Sequence, residues 1–170
     1  MPIPGITQPE FILIDDTLRL RRFDGAAECA LPWYQDPETL LLVDGKEDPY
    51  TPERLQRMYA YLAERGELWW IEYRDDAGDF RPIGDVTFWQ EDMPIVIGEK
   101  TLRGRGVGRR VVEALCRRAR ELNYNYIYVN DIYDYNTASI RCFTAAGFRP
   151  CGKTETGRRY VRGLTEGQKA

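Results

Sequence analysis

The run from Arg103 to Arg110, with the sequence RGRGVGRR, constrains this chain more than any other segment. Three glycines alternate there with other residues, four arginines surround them, and a helical pattern of apolar residues follows directly. Glycines let backbone N–H groups approach an anion closely, a helix that begins near Gly106 adds its partial positive charge, and arginines supply side-chain donors. The segment therefore predicts a phosphate-binding loop that leads into a helix.

The overall charge limits the partners of this loop. The chain is mildly acidic, with a formal net charge of -3 at pH 7, so the arginine cluster is a local reversal of charge and its expected partner is a small polyanion. Its 170 residues, 43% of them hydrophobic, suit one core, and we expect a single domain over residues 1–170. We expect no nucleic-acid partner, because the net acidic charge of the chain argues against one. The residues that would favour one are Arg105, Arg109, Arg110, Arg117 and Arg118.

The absence of histidine and the scattered cysteines limit the chemistry. With no histidine a Ser-His-Asp triad is excluded, and any acid or base must be another group. The cysteines form no C-x-x-C pair, so we expect free thiols and no metal site. No apolar run reaches the roughly 20 residues of a membrane span, and residues 1–4 do not resemble a signal peptide. These features predict a cytoplasmic protein without a membrane partner.

Local signals predict the elements of the first half. Before residue 50 we expect an edge strand over residues 18–23, a short helix and loops. Thr51 caps the next helix, Pro52 occupies its first turn and Gly66 ends it. Strands then follow over residues 67–73, 81–89 and 94–98, the first two as an antiparallel pair.

The second half begins with the helix after the arginine–glycine loop. Residues 124–130 are rich in tyrosine and β-branched residues and predict a strand, so a right-handed crossover joins two parallel strands. Asn136 caps a short helix that Gly147 closes, and residues 148–151 and 159–162 form a closing hairpin. The apolar positions of the long helix are Val107, Val111, Ala114, Leu115, Ala119 and Leu122.

Three kinds of phosphate loop compete for the arginine–glycine motif. A P-loop pattern is absent, and the dinucleotide fingerprint G-x-G-x-x-G fails because Gly108 comes one residue early. Residues 103–108 instead resemble the [QR]-x-x-G-x-[GA] signature of the GNAT superfamily of N-acetyltransferases. A second block, residues 136–148, resembles the family pattern N-x-x-[AS]-x-x-x-[YF]-x-x-x-G-F. Both blocks stand in the family's order and at its spacing.

The resemblance implies a single-domain α/β (α+β) GNAT-like fold with helices on both faces of a mixed central sheet of about six to seven strands. In that family strands four and five run parallel but splay apart, and here they would be residues 94–98 and 124–130. Residues 81–148 would form the acetyl-coenzyme A binding core, and residues 1–50 the N-terminal part on the acceptor side.

The family's reaction moves an acetyl group from acetyl-coenzyme A to a primary amine by direct attack in a ternary complex, as an acyltransferase. The resemblance assigns backbone pairing with the pantetheine arm to Val96 and Ile97. It also assigns a hydrogen bond to the arm to Asn136, and contact with the nucleotide to Arg141. The diphosphate would lie on Arg103, Gly104, Arg105, Gly106, Val107, Gly108 and Arg109.

An amine attacks a thioester only in its neutral form, so a proton acceptor is needed. Asp131 is the hypothesised base, since family members often carry a glutamate at the end of this strand, and Glu99 is the second carboxylate considered. Phe143 stands where the family usually has the tyrosine that protonates the leaving thiolate. Tyr133, Tyr135, a water or unassisted departure remain open as replacements.

The acceptor stays open between small molecules and peptide N-termini. Residues 139–141 resemble ribosomal-protein N-terminal acetyltransferases, whereas residues 140–142 and 146–148 resemble aminoglycoside 6'-N-acetyltransferases. Acidic residues on the acceptor side would favour a cationic amine, with plain solubility as the alternative explanation. They are Asp36, Glu38, Asp44, Glu47, Asp48, Glu91 and Asp92.

A different class of function also fits the sequence. The missing tyrosine at Phe143 favours a non-catalytic module that senses coenzyme A or a nucleotide. A homodimer is a further partner to consider, since many relatives are dimers. Acetyl transfer to a panel of amines separates an enzyme from a sensor.

Overall fold

The computed structural model describes residues 1–165, which fold into two antiparallel sheets and four α-helices. The first sheet has the order β1-β2-β3-β4-β5, with bounds Phe11–Leu13, Leu18–Arg22, Glu67–Arg74, Phe80–Phe88 and Ile95–Ile97. The second has the order β6-β8-β7, where β6, β7 and β8 are Tyr126–Tyr133, Arg149–Lys153 and Gly157–Gly163. The helices α1 to α4 are Pro37–Asp44, Pro52–Arg65, Val107–Glu121 and Thr137–Ala145. Short 3-10 helices cover Glu28–Ala30, Trp33–Gln35 and Lys100–Leu102.

The helix ends follow the local signals in the sequence. Thr51 caps α2, since its hydroxyl accepts a hydrogen bond from the Arg54 N–H at 3.2 Å, and Gly66 ends the helix. Asn136 caps α4 in the same way, with 3.1 Å between its Oδ1 and the Ser139 nitrogen. These predicted boundaries are confirmed.

Strand β3 divides the core into two layers because its side chains alternate between the sheet faces. Trp69 and Ile71 pack into the apolar cluster that contains α3. Leu68 and Trp70 pack into the other cluster, beneath α1 and α2. Helices therefore cover both faces of the first sheet, as predicted.

The sheet itself differs from the prediction. The sequence predicted one mixed sheet of about six to seven strands, whereas residues 1–165 form eight strands in two antiparallel sheets. Strands β5 and β6, predicted to run parallel and splay apart, lie in different sheets and share no ladder. The predicted edge strand, β2, is internal because β1 pairs with its outer side. Short strands such as β1 and β5, each three residues long, carry weak sequence signals.

Hydrogen bonds join the two sheets near the turn between β4 and β5. The Tyr128 N–H donates to the Gln90 carbonyl at 2.9 Å, and the Asn130 N–H donates to Asp92 Oδ1 at 3.0 Å. Both contacts link the turn between β4 and β5 to β6, and the space between β5 and β6 stays unpaired. This arrangement leaves a cleft between the sheets.

Strand β6 extends beyond its predicted end at Asn130 and contains a bulge. Its register with β8 shifts between Val129 and Ile132, so Asp131 lies inside the bulge rather than at a strand end. Bulges redirect side chains at sheet edges. The partner strand approaches β6 closely at this point, because a Cβ on Gly157 would lie 1.9 Å from the Ile132 carbonyl oxygen.

Two further predictions are tested by the described residues. All four cysteines are free, as predicted: Cys29, Cys116, Cys142 and Cys151. Across residues 1–165 no helix combines the length and apolar character needed to cross a bilayer.

Candidate active site

A cleft of about 690 Å³ occupies the gap between β5 and β6. The loop before α3, the start of α4 and one side of α1 complete its walls. Of the residues predicted for the site, Arg105 alone is absent from this lining. Those that line it are Val96, Ile97, Arg103, Gly104, Gly106, Val107, Gly108, Arg109, Asp131, Asn136 and Arg141.

The glycine loop gives the start of α3 its geometry. Gly104 and Gly106 adopt φ angles of 71° and 78°, in the left-handed region where residues with a Cβ are strained. Gly106 is also the N-cap of α3, and no side chain caps the helix there. The first N–H groups of α3 therefore lack a side-chain partner at an end that carries partial positive charge.

The arginines of the loop differ in how many of their nitrogen atoms already bind groups within the protein. Arg103 donates from Nε to the Ile97 carbonyl at 2.8 Å and from Nη2 to the Thr39 hydroxyl at 2.9 Å. Its Nη1 is buried without a hydrogen-bond partner, 3.6 Å from a Glu38 carboxylate oxygen. Arg109 is exposed and pairs with Glu113 at 3.0 Å. The loop thus retains unused donors beside the cleft.

Helix α1 spans the cleft and is attached at its N-terminal end. Lys100 Nζ lies 2.8 Å from Asp36 and 2.9 Å from Glu38, in the first turn of α1. The Lys100 ammonium and the Thr39 N–H hold the pKa of Asp36 down at about 2. Together with Arg103, these contacts tie α1 to the loop that precedes α3.

The other end of α1 is attached to β6 and the residues after it. Tyr135 donates from its hydroxyl to the Leu41 carbonyl at 2.6 Å, and Tyr133 donates to the Val43 carbonyl at 3.5 Å. The two tyrosine rings stack with 5.3 Å between centroids. Helix α1 therefore bridges both sides of the cleft, and Val43 lines it.

Two carboxylates lie at the β6 side of the cleft. Asp131 accepts hydrogen bonds from Thr154, at 2.7 Å, and from Thr156. Asp92 accepts the Met93 N–H at 2.9 Å through the same Oδ1 that binds β6. Burial raises the pKa of Asp92, and the nearby charge of Asp131 adds to this effect. Both carboxylates line the cleft.

Comparison with known proteins decides the family. The sequence matches the family model described as an acetyltransferase (GNAT) domain over residues 17–149. The chain belongs to the GNAT acetyltransferase family. It is therefore an acyltransferase, as the two sequence blocks predicted. A search of curated proteins found no match.

Solved structures share the fold of this GNAT domain. A domain from Methanocaldococcus jannaschii DSM 2661 is 23% identical with a TM-score of 0.75, over 88% of this chain and 100% of that one. The aminoglycoside acetyltransferase AAC(6')-Ib with ribostamycin and coenzyme A is 20% identical with a TM-score of 0.72, over 91% and 99%. Spermidine N-acetyltransferase from Vibrio cholerae, with coenzyme A and spermine, is 15% identical with a TM-score of 0.65, over 88% and 97%.

Two further residues were considered in the sequence for acid–base chemistry, Glu99 and Phe143. Glu99 lies outside the cleft lining and caps the 3-10 helix that begins at Lys100. A hydrogen bond from the Thr101 hydroxyl lowers the pKa of Glu99, which makes it a weaker base. Phe143 lines the cleft, is buried and packs edge-on against Phe148, so it supplies no proton.

Asp92 lines the cleft, although the sequence did not single it out as a candidate site residue. The sequence placed it only among acidic residues of the acceptor side, with no part in proton transfer. The signal available was its place in the short turn between two predicted strands. Its proximity to Asp131, far along the chain, depends on the contact between the two sheets.

Proposed function

We propose that this GNAT domain transfers the acetyl group of acetyl-coenzyme A to a primary amine of a small molecule or a peptide N-terminus, by direct attack in a ternary complex. The observation that carries the proposal is the uncapped start of α3, whose glycine loop faces a cleft between two strands that do not pair with each other, β5 and β6. A diphosphate suits such a site, because free helix N–H groups and guanidinium groups both favour anions. No metal takes part in the proposed reaction.

The loop would hold the diphosphate of the donor. Backbone N–H groups from Gly104 to Gly108 and the exposed guanidinium of Arg109 are the main donors, and the buried Nη1 of Arg103 gains a partner. Arg105 is exposed outside the cleft lining, so its contribution would be long-range attraction. Arg103 acts largely as a structural tie to α1, since two of its nitrogens already donate within the protein.

The pantetheine arm would enter between β5 and β6, which we take to be the parallel, splayed pair of the family. Strand β5 pairs with β4 on one side only, so the other backbone edge of Val96 and Ile97 is open to a ligand. Asn136 is 9% exposed and uses Oδ1 to cap α4, which leaves its amide N–H groups for the arm. Arg141 lines the cleft one helical turn further on, where the nucleotide would lie.

The acceptor amine would approach between α1 and the two carboxylates. Asp92 and Asp131 line the same cleft, and their charges attract an ammonium group. Two similar structures contain coenzyme A together with ribostamycin or spermine, both of which are amines. We propose residues 1–50 as the acceptor-side part on the same grounds, because α1 lines the cleft.

From an ammonium acceptor, the reaction removes two protons from the nitrogen in all and delivers one proton to the leaving thiolate. Asp131 is the proposed acceptor of the ammonium proton, and Asp92 is the alternative because burial raises its pKa and so favours its uptake of a proton. The neutral amine then forms a bond to the thioester carbonyl carbon, the carbon–sulfur bond breaks to release the thiolate, and the nitrogen loses its second proton as the amide forms. Tyr133 lines the cleft and is the tyrosine to test as the thiolate's proton donor.

A thiol-release assay with acetyl-coenzyme A and a panel of polyamines, aminoglycosides, amino acids and short peptides tests the proposal. We expect turnover with at least one amine, and a loss of about 100-fold in kcat/KM for Asp131→Asn. The matched control is Glu64→Gln, which changes an exposed carboxylate on α2. A larger loss for Asp92→Asn than for Asp131→Asn would transfer the role of base to Asp92.

Calorimetry with acetyl-coenzyme A separates this proposal from the non-catalytic alternative. Binding without turnover on any amine would favour a coenzyme A sensor, which the phenylalanine at position 143 also favours. No binding at millimolar ligand and low salt would contradict both functions.

A further inference from the structure

A second cavity, of about 420 Å³, lies beyond the end of the cleft. Helix α3, the end of α4 and strand β8 form its walls. We call this cavity the arginine pocket, because it is lined by Arg117, Arg120 and Arg162. Within residues 1–165, none of these three arginines forms an ion pair with a carboxylate.

The arginine pocket is built into the fold. Arg162 is half-buried and lies beside Gly147 at the end of α4, where a φ of 88° favours glycine. Arg120 donates from Nε to the Leu164 carbonyl at 3.4 Å. Burial raises the pKa of the Cys116 thiol between these residues, and the charges of Arg162 and Arg120 oppose this effect.

The pocket has one acidic neighbour. Glu113 lines it, but its carboxylate already pairs with Arg109 of the cleft at 3.0 Å. The lining therefore keeps two net positive charges, because it holds three arginines and one carboxylate. Such a site favours an anion with several oxygens, because guanidinium groups bind phosphate in a bidentate manner.

The arginine pocket adjoins the cleft. Ala145 lines both cavities, and Glu113 of the pocket contacts Arg109 of the cleft. Arg117 lies eight residues after Arg109 on α3, about 12 Å along the axis, and helical side chains lean back toward the N-terminus. An anionic group attached to a diphosphate at the start of α3 is therefore within reach of the pocket.

We infer that the arginine pocket binds the 3'-phosphate of the coenzyme A moiety. This inference rests on the proposed function, because it requires the diphosphate at the start of α3. Arg117 and Arg162 contact the phosphate oxygens, and Arg120 adds charge from the far side. The pocket thereby distinguishes coenzyme A from carriers that lack this phosphate.

The test compares coenzyme A with 3'-dephospho-coenzyme A by calorimetry. We expect the wild-type chain to bind coenzyme A about tenfold more tightly or better. In Arg117→Ala and Arg162→Ala this ratio falls toward one, while the affinity for 3'-dephospho-coenzyme A stays the same. Arg117 is exposed, so its replacement should leave the fold intact, and Arg117→Glu should reverse the preference.

The matched control is Arg57→Ala, an exposed arginine on α2, which should keep the wild-type ratio. Equal binding of both carriers by the wild-type chain, or an unchanged ratio in the pocket variants, would overturn the inference and leave the proposed function standing. If the pocket binds free phosphate but not the phosphate of the carrier, coenzyme A and 3'-dephospho-coenzyme A bind equally, and this result also overturns the inference. Failure of both carriers to bind would overturn the proposed function and the inference together.

Discussion

Two regions of the molecule, the core beneath α1 and α2 and the cleft between β5 and β6, hold charged groups in opposite ways. Beneath α1 and α2, Asp85 is 2% exposed, and both Tyr34 and Tyr59 donate to its Oδ2, at 2.9 and 2.8 Å. We call Asp85, Tyr34 and Tyr59 the tyrosine cluster. Aromatic rings surround it, and Trp70 packs edge-on against Tyr59 with 5.5 Å between ring centroids. Burial raises the pKa of Asp85 to about 6, although the two hydroxyls oppose the effect.

The cleft has the opposite character. At the start of α3 no side chain caps the helix, and Arg103 Nη1 is buried without a partner. Neither Arg117 nor Arg162 forms an ion pair within residues 1–165. A buried polar group without a partner costs free energy, so a chain keeps such groups where a ligand can complete them. The comparison separates charges that serve packing from charges that serve binding.

The largest change in the free energy of unfolding is expected when a substitution removes the ionisable group of the tyrosine cluster, Asp85. In Asp85→Asn the amide oxygen still accepts the two hydroxyls, but the group no longer titrates. The folded-state pKa of Asp85 is raised from 3.8 to about 6, so its contribution to stability is complete below pH 4 and is lost as pH rises through 6. The difference in unfolding free energy between wild type and variant should change by about 3 kcal/mol over this window.

Urea unfolding at several pH values between 4 and 7 measures this difference. Titration of other groups cancels because both proteins share them. A difference that does not vary with pH would mean that Asp85 is not buried as an ionisable group.

A smaller change in the free energy of unfolding is expected when the tyrosine cluster loses one of its two hydroxyl donors. Tyr59→Phe leaves the Asp85 carboxylate with Tyr34 alone and should lower the free energy of unfolding by about 1.5–3 kcal/mol above pH 6. Tyr61→Phe, at a position that is 53% exposed, is the matched control and should change stability by less than about 0.5 kcal/mol. Equal losses for the two variants would show that the hydroxyl of Tyr59 does not stabilise the carboxylate.

The smallest effect on stability is expected on the cleft side. Arg109 forms an exposed pair with Glu113 on α3, and such pairs contribute about 0.3–0.5 kcal/mol. Arg109→Ala should therefore unfold almost as the wild type does, yet bind acetyl-coenzyme A about tenfold more weakly. Thermal unfolding and calorimetry on the same samples check both parts, with Arg57→Ala as the control. If Arg109→Ala lowered the stability but kept the affinity for acetyl-coenzyme A, Arg109 would serve packing and not ligand binding.

Much of the cleft was predictable, but the use of individual residues was not. The two sequence blocks located the loop from Arg103 to Arg109 and the start of α4, since each block contains its own glycines, cap and helix pattern. They did not indicate that Arg103 would be engaged with Ile97 and Thr39, or that Arg105 would lie outside the cleft lining. Those outcomes depend on which side chains α1 brings to the loop.

The sequence by itself determined the helices with their caps, most of the strands, the glycine loop and the family, because each depends on residues within about one or two turns of chain. Only the tertiary structure decided the division into two sheets, the meeting of Asp92 with Asp131, and the arginine pocket. These features join residues that are far apart in the chain, and their geometry follows from how the apolar faces pack. Local patterns of hydrophobicity and propensity carry no information about such distant contacts.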